Sequence, residues 1–229
     1  MKNILQTTLL LWAVVSLAYF NWQSIFRIHS FLIILPDVTL LLVGIPFWLH
    51  RDIVKKKIHT HKLDSIKKFF LLAYGMMLFE KMIAVLAQEL DEEFSLSIFL
   101  LHVAESWLFN IFVFTGVIIG LYIILRKGVL SVRESLPLIG FLALFIEKVL
   151  PFLFANPRVF LMLAPATVLE CFLIFIPAMY ALGTLPHVTH DPWRKRFLLA
   201  TGIIFLCSLP PVFVLGKLSL YFPEIFPTI

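Results

Sequence analysis

Charge is scarce in this chain, and its scarcity decides the class. Only 14% of the 229 residues are charged and 61% are hydrophobic. A soluble domain carries about 25% charged and about 45–50% apolar residues. Long polar stretches are also missing: the longest, His50 to Lys68, is too short for a water-soluble domain. Cysteine is nearly absent. Cys171 and Cys207 both fall in apolar runs, which excludes a disulfide framework or a metal-ligand spacing and leaves two small packing residues. There is no HExxH, GxSxG, P-loop or dinucleotide fingerprint. The net charge of +5 does not indicate nucleic acid, because the basic residues gather in loops beside apolar runs.

What is abundant is phenylalanine, 24 of them, in long apolar runs with a mean hydropathy of +0.98. The pattern predicts an all-α, polytopic membrane protein: a single integral membrane domain over residues 1–229 with seven transmembrane helices. The spans are about 4–21, 31–49, 69–88, 96–125, 135–154, 159–183 and 197–216, most of them near the ~20 residues a crossing needs. The fourth is long enough to tilt or to pass the interface.

The loops predict orientation. Most of the 19 Lys and Arg residues sit at Lys2, in His50–Lys68, around Arg126, Lys127 and Arg133, and at Arg194, Lys195 and Arg196. All of these fall on one side. The other side has Arg27, Arg158 and Lys217 with an acidic loop, Glu89, Asp91, Glu92 and Glu93. The positive-inside rule places the N-terminus in the cytoplasm and the C-terminus outside. The first span resembles a signal peptide, with Lys2 and small residues at Ser16 and Ala18. The second span reads outside to inside, so a retained first helix fits the alternation. The expected location is an integral membrane protein of the plasma or bacterial inner membrane. The basic His50–Lys68 loop is expected to lie along anionic lipid, and Trp193 ahead of Arg194 reads as an interfacial anchor.

Against this apolar background six charges stand inside spans 3–6: Glu80-Lys81, Glu105, Glu147-Lys148 and Glu170. Each costs about 2.5–3.5 kcal/mol at a bilayer centre, so they glue helices or form a polar site. They also mark an internal repeat. Phe79-Glu80-Lys81 recurs as Ile146-Glu147-Lys148, and Val103-Ala104-Glu105-Ser106 as Val168-Leu169-Glu170-Cys171. Spans 3–4 and 5–6 therefore read as two copies of one helical hairpin.

Each glutamate lies on a stripe of small residues, such as Ala73, Ala84 and Ala87 for Glu80, or Gly140 and Ala143 for Glu147. Such stripes allow close helix approach and turn the acids inward. A lysine directly after a glutamate points about 100° away round a helix. The repeat thus predicts a swap, Glu80 with Lys148 and Glu147 with Lys81, as structural intramembrane charges. The residues left over are Glu105, Glu170, His102 and Asn110, the candidate substrate- or ion-binding set. His102, Ser106 and Asn110 form one stripe, and His102 and Glu105 are an i,i+3 pair. Unpaired carboxylates in low dielectric suit a proton carrier, a general acid or a cation site. A metal centre is not expected: only one His102-x-x-Glu105 occurs, in the reverse order of the di-metal bundle motif. No cofactor is implied.

The prolines at 151, 157 and 165 bracket one turn, and Pro177, Pro210 and Pro211 lie inside spans, where they kink helices without necessarily opening a path. Seven helices with a cytoplasmic N-terminus are similar in outline to heliorhodopsins. Lys217, however, falls at the outer end of the last span, where a retinal lysine would not serve. Glu80, Glu105 and Glu170 ahead of Pro177 resemble the four-helix core of the EXPERA group, sterol isomerases and amine-binding receptors, over half the chain. Lys81 and Lys148 depart from that pattern, and no membership is assigned.

The leading functional expectation is a small transporter or channel-like protein whose carboxylate and histidine site takes a proton, a cation or a cationic small molecule. A membrane-embedded enzyme acting on a lipid or isoprenoid by Glu/His acid–base chemistry is the rival. A helper subunit or assembly factor, which would have protein partners, is the third.

Overall fold

The computed structural model describes residues 11–12, 14–19, 21–22, 25–26, 31–183 and 185–223. These are helical or lie in the turns between helices, and no strand occurs among them. Segments this apolar have little side-chain polarity to offer the backbone, and a helix satisfies its N–H and C=O groups internally.

Helix α1 is built from Phe31–Thr39, a π-helical stretch Leu40–Gly44 and Ile45–Leu49. It is followed by α2 (Arg51–Thr60), α3 (Ser65–Asp91), α4 (Leu96–Arg126), α5 (Val132–Ile146), α6 (Phe152–Ala155), α7 (Pro157–Ala181) and α8 (Trp193–Tyr221). Four of them, α3, α4, α7 and α8, are long and apolar enough to cross a membrane. They coincide within a few residues with the expected spans 69–88, 96–125, 159–183 and 197–216. The expected span 31–49 is α1, whose apolar run Asp37–Phe47 is shorter. The expected span 4–21 lies partly outside the described residues, as do Lys2 and Arg27; its described residues are helical.

The expected span 135–154 needs correction. It is not one helix: α5 stops at Ile146 after 15 residues. Pro151 supplies the reason. It has no N–H to give to the carbonyl four residues back, its ring would clash there, and it disfavours helical geometry in Leu150. The chain closes the helix beforehand. Lys148 takes a left-handed φ of 55°, Lys148 N–H donates to Phe145 O (3.2 Å) and Val149 N–H to Leu144 O (2.9 Å). That is the Schellman pattern, with a lysine where glycine is usual. Elsewhere prolines are absorbed: α7 runs through Pro165 and Pro177, and α8 through Pro210 and Pro211.

Helix starts are written locally. Asp64 accepts from Ile66 N–H ahead of α3, and Asn156 accepts from Val159 N–H with Pro157 at the first helical position of α7. Ser131 and Glu134 form a capping box on α5.

Helix α3 packs against α1, α4 and α7, while α7 also takes α5 and α2. The small-residue stripes are buried in these contacts: Ala73, Ala87 and Ala143 have almost no exposure. The tightest pairing is α4 with α8. Gly116 and Gly120 make it possible. A Cβ on Gly116 would stand 2.3 Å from the Ser208 Cα, and one on Gly120 would stand 2.9 Å from the Ile204 Cα. This Gly-x-x-x-Gly crossing is the small-residue contact of membrane helices. The core between the helices holds Phe69, Met77, Phe114, Ile118, Leu121 and Phe175.

The bundle has two unlike ends. The α3–α4 turn carries Glu89, Asp91, Glu92 and Glu93, and the N–H of Phe31 donates to Asp91 Oδ1. The opposite end carries α2, the α4–α5 turn and the start of α8. There Arg196 binds Glu134 through both oxygens, at 2.6 and 2.9 Å, and donates to Val129 O and Asp191 O. Lys68 is buried at the same end, its Nζ donating to Ile58 O (2.9 Å) and His61 O (3.3 Å).

Candidate functional site

Three of the six interior charges, Glu80, Lys81 and Glu147, meet around the middle of α3. Trp107 of α4 donates its indole N–H to Leu78 O at 2.8 Å and fixes α4 beside this stretch. Lys81 Nζ lies 3.0 Å from Glu147 Oε1 and 3.3 Å from Glu80 Oε2. It also lies 5.9 Å from the centre of the Phe114 ring on α4, within cation–π range.

Half of the expected swap is therefore present, Lys81 with Glu147. The other half is not. Lys148 is exposed and makes no ion pair among the described residues. Its left-handed turn carries it past the end of α5, so it cannot occupy the position that Lys81 has inside α3. Lys81 also reaches its own neighbour Glu80, contrary to the angular argument. The Cβ directions do diverge, but a four-carbon stem can curl back along the helix.

One lysine thus serves two carboxylates, and the geometry is uneven. The contact to Glu147 is a hydrogen bond. The contact to Glu80 is an ion pair without hydrogen-bond angles: Glu80 Oε2 is a buried acceptor with no donor. A buried acceptor with no hydrogen-bond donor calls for an explanation, and here the Lys81 ammonium offsets part of its desolvation cost.

Beside it is a cavity of about 20 Å³ between α1, α3 and α7. Thr39, Glu80 and Glu170 give its polar lining, and Leu40, Met76 and Ile174 are among its apolar walls. That volume holds about one water molecule. Glu170 makes no hydrogen bond or ion pair among the described residues, and the charges that act on it most strongly are Glu80, Asp37, Lys81 and Glu147. Cys171 is buried next to it and free.

The four expected binding residues do not share one place. Glu105 lies on α4 and does not line the cavity. His102 does not pair with Glu105. Its Nδ1 lies 2.5 Å from Glu89 Oε1, at the acidic end of the bundle. Asn110 donates to Ser106 O at 2.8 Å, inside its own helix. The structure instead brings Glu170 together with Glu80, which sequence reasoning assigned to the frame.

Two residues were missed. Asp37 is 3% exposed and accepts a hydrogen bond from Asn21 Nδ2 at 2.6 Å. Its signal was available, as the only charge in the apolar span 31–49. Glu89 is 2% exposed; in the sequence it stands in an acidic loop that reads as solvated, so nothing marked it.

Among the described residues no group of three or more His, Cys, Asp or Glu side chains is placed to hold a metal ion. At the basic end the Arg196 guanidinium and the Ser131 donors hold the Glu134 carboxyl down to about 2. That acid is fully satisfied, unlike Glu80. Comparison with protein-family models, with curated proteins and with solved structures gave no match.

Proposed function

We propose that the chain is a multi-pass membrane transporter or channel-like protein that binds and passes a proton at an intramembrane carboxylate centre. Glu170 and Glu80 are the binding groups. Lys81, held by Glu147, is the fixed counter-charge. In this reading the chain crosses the membrane seven times with a cytoplasmic N-terminus, in a plasma or bacterial inner membrane, and its basic α2 rests on anionic lipid. His102 with Glu89, and Glu105 further in, stand towards the acidic end, where they guide protons to or from the bulk, and Asn110 lies deeper on the same helix, bound to Ser106.

The observation that carries the reading is Glu80 Oε2, buried without a donor, beside a one-water cavity that it shares with Glu170. Ionisable groups inside membrane helices mark ion and proton pathways. A cavity of about 20 Å³ favours a proton over a cationic drug-sized molecule, and over the lipid or isoprenoid substrate of the enzyme reading, which needs several hundred cubic ångströms.

The test uses the purified chain in liposomes with a pH-reporting dye inside and an imposed membrane potential. The wild type is expected to carry protons. Glu170→Gln is expected to abolish the flux with helical content and monodispersity unchanged, and Glu80→Gln to reduce it. Full flux in both variants, or none in the wild type, overturns the proposal. Glu105→Gln tests the acidic-end role, with a partial loss expected.

A further inference from the structure

Among the described residues Asp37 is the one buried carboxylate that this mechanism does not use, and its position is specific. It lies about 9 Å along α1 from Phe31 at 1.5 Å per residue, and Phe31 is tied to Asp91 at the acidic end. Counted from the same end, Glu80 lies about 16 Å down α3 and Glu170 about 20 Å down α7. The three acids therefore descend in steps from the acidic end to the cavity. Asp37 and Leu40 are an i,i+3 pair on one face of α1; both are buried, and Leu40 lines the cavity.

A second, independent feature marks the same spot. The helix turns π-helical at Leu40–Gly44, directly where Thr39 and Leu40 reach the cavity. A π segment widens the helix and leaves the regular backbone ladder, and such segments are frequent at functional sites. The hydrogen bonding of Asp37 is one-sided as well. Asn21 donates to Oδ2 and also to Leu17 O at 2.8 Å. Oδ1 accepts no hydrogen bond among the described residues.

We infer that Asp37, oriented by Asn21, is the proton relay between the acidic end of the bundle and the Glu80–Glu170 cavity. The inference rests on the proton reading above. In each transfer Oδ1 takes a proton from a hydronium ion on the acidic-end side; an O–H bond of the hydronium breaks, leaving water, as the Oδ1–H bond forms. That bond then breaks toward the cavity water, which passes a proton to Glu170, and the Asp37 carboxylate is restored. No electron pair leaves the oxygen atoms and no other reactant is needed. Asn21 keeps Oδ2 engaged, so that the mobile proton resides on Oδ1. On the elements packed against α1, Glu80 of α3 and Glu170 of α7 line the cavity, Lys81 lies between Glu80 and Glu147, and Asp91 of α3 holds the Phe31 N–H.

The experiment compares Asp37→Asn with Glu170→Gln in the same liposomes, with and without added azide or formate as a small diffusible acid. Asp37→Asn should slow proton flux about a hundredfold, the usual range for losing a positioned acid–base group. The added weak acid should restore it. Glu170→Gln should stay inactive with or without the acid. Wild-type flux in Asp37→Asn, or a slow flux that neither acid restores, overturns the relay and leaves the cavity proposal standing if Glu170→Gln is inactive. Full flux in Glu170→Gln counts against the cavity proposal itself, and the relay falls with it. Asp37→Ser is the second variant if Asp37→Asn does not fold, judged by the same outcomes.

Discussion

Glu80-Lys81 and Glu147-Lys148 are the same dipeptide, yet they occupy different structures. The first pair sits inside α3, with the helix continuing on both sides. The second sits at the end of α5, Glu147 as the C-cap and Lys148 in a left-handed turn. Glu147 still reaches the bundle and binds Lys81, whereas Lys148 faces outward. The consequence is electrostatic. Two symmetric copies would have brought two lysines to two glutamates and cancelled. One helix end removes a lysine, and the centre is left with Lys81 among Glu80, Glu147 and Glu170. A proline four residues after Glu147 thus leaves Lys81 as the one lysine among these acids, with Glu80 Oε2 lacking a hydrogen-bond donor.

That contrast can be broken most strongly at Lys81. Lys81→Met should cost about 2–3 kcal/mol; the full cost of breaking a buried pair is discounted because Glu147 is 39% exposed. The matched Lys148→Met should change stability by less than about 0.5 kcal/mol, as expected of an exposed position. Thermal unfolding of both variants in one detergent checks this, and equal losses would mean that the two lysines are equivalent after all. A smaller effect of opposite sign is expected from Lys148→Gly. Relieving a left-handed lysine should stabilise the fold by about 1 kcal/mol, whereas glycine at position 81, inside α3, should destabilise.

The smallest effect uses Glu134 as the satisfied reference. Arg196 lowers its pKa from 4.5 to about 2. A depressed carboxylate contributes stability above its unfolded pKa and loses it as the pH falls through the folded value. The melting temperature should therefore decline between about pH 4.5 and pH 2 in the wild type. Glu134→Gln should be less stable at neutral pH and should flatten that part of the decline. An unchanged slope would show that the pair contributes nothing.

The legible part of the molecule was the part governed by composition and periodicity. The bounds of α3, α4, α7 and α8 follow from apolar runs ended by charged or capping residues, and the burial of Ala73, Ala87 and Ala143 follows from their spacing. The break at Pro151 was also written in the sequence, but the apolar run continues past it to about residue 154, and hydropathy alone does not register a helix end. Gly116 and Gly120 were equally visible, and their meaning needed a partner, since a glycine pair becomes a crossing only where another helix arrives. The partner of His102 was not legible at all. An i,i+3 neighbour, Glu105, was the nearest candidate along the chain, but the turn between α3 and α4 brings Glu89 closer.

By itself the sequence determined that the chain is helical, membrane-embedded and charged at a few interior points, because hydropathy and helical period are local properties of consecutive residues. Only the tertiary structure decided which charges meet. Pairing depends on which helix lies between which others and on where each helix stops. Those are properties of the packed bundle: α3 between α4 and α7 sets Glu80 beside Glu170 and leaves Glu105 on another face, and the end of α5 leaves a single lysine to balance the acids.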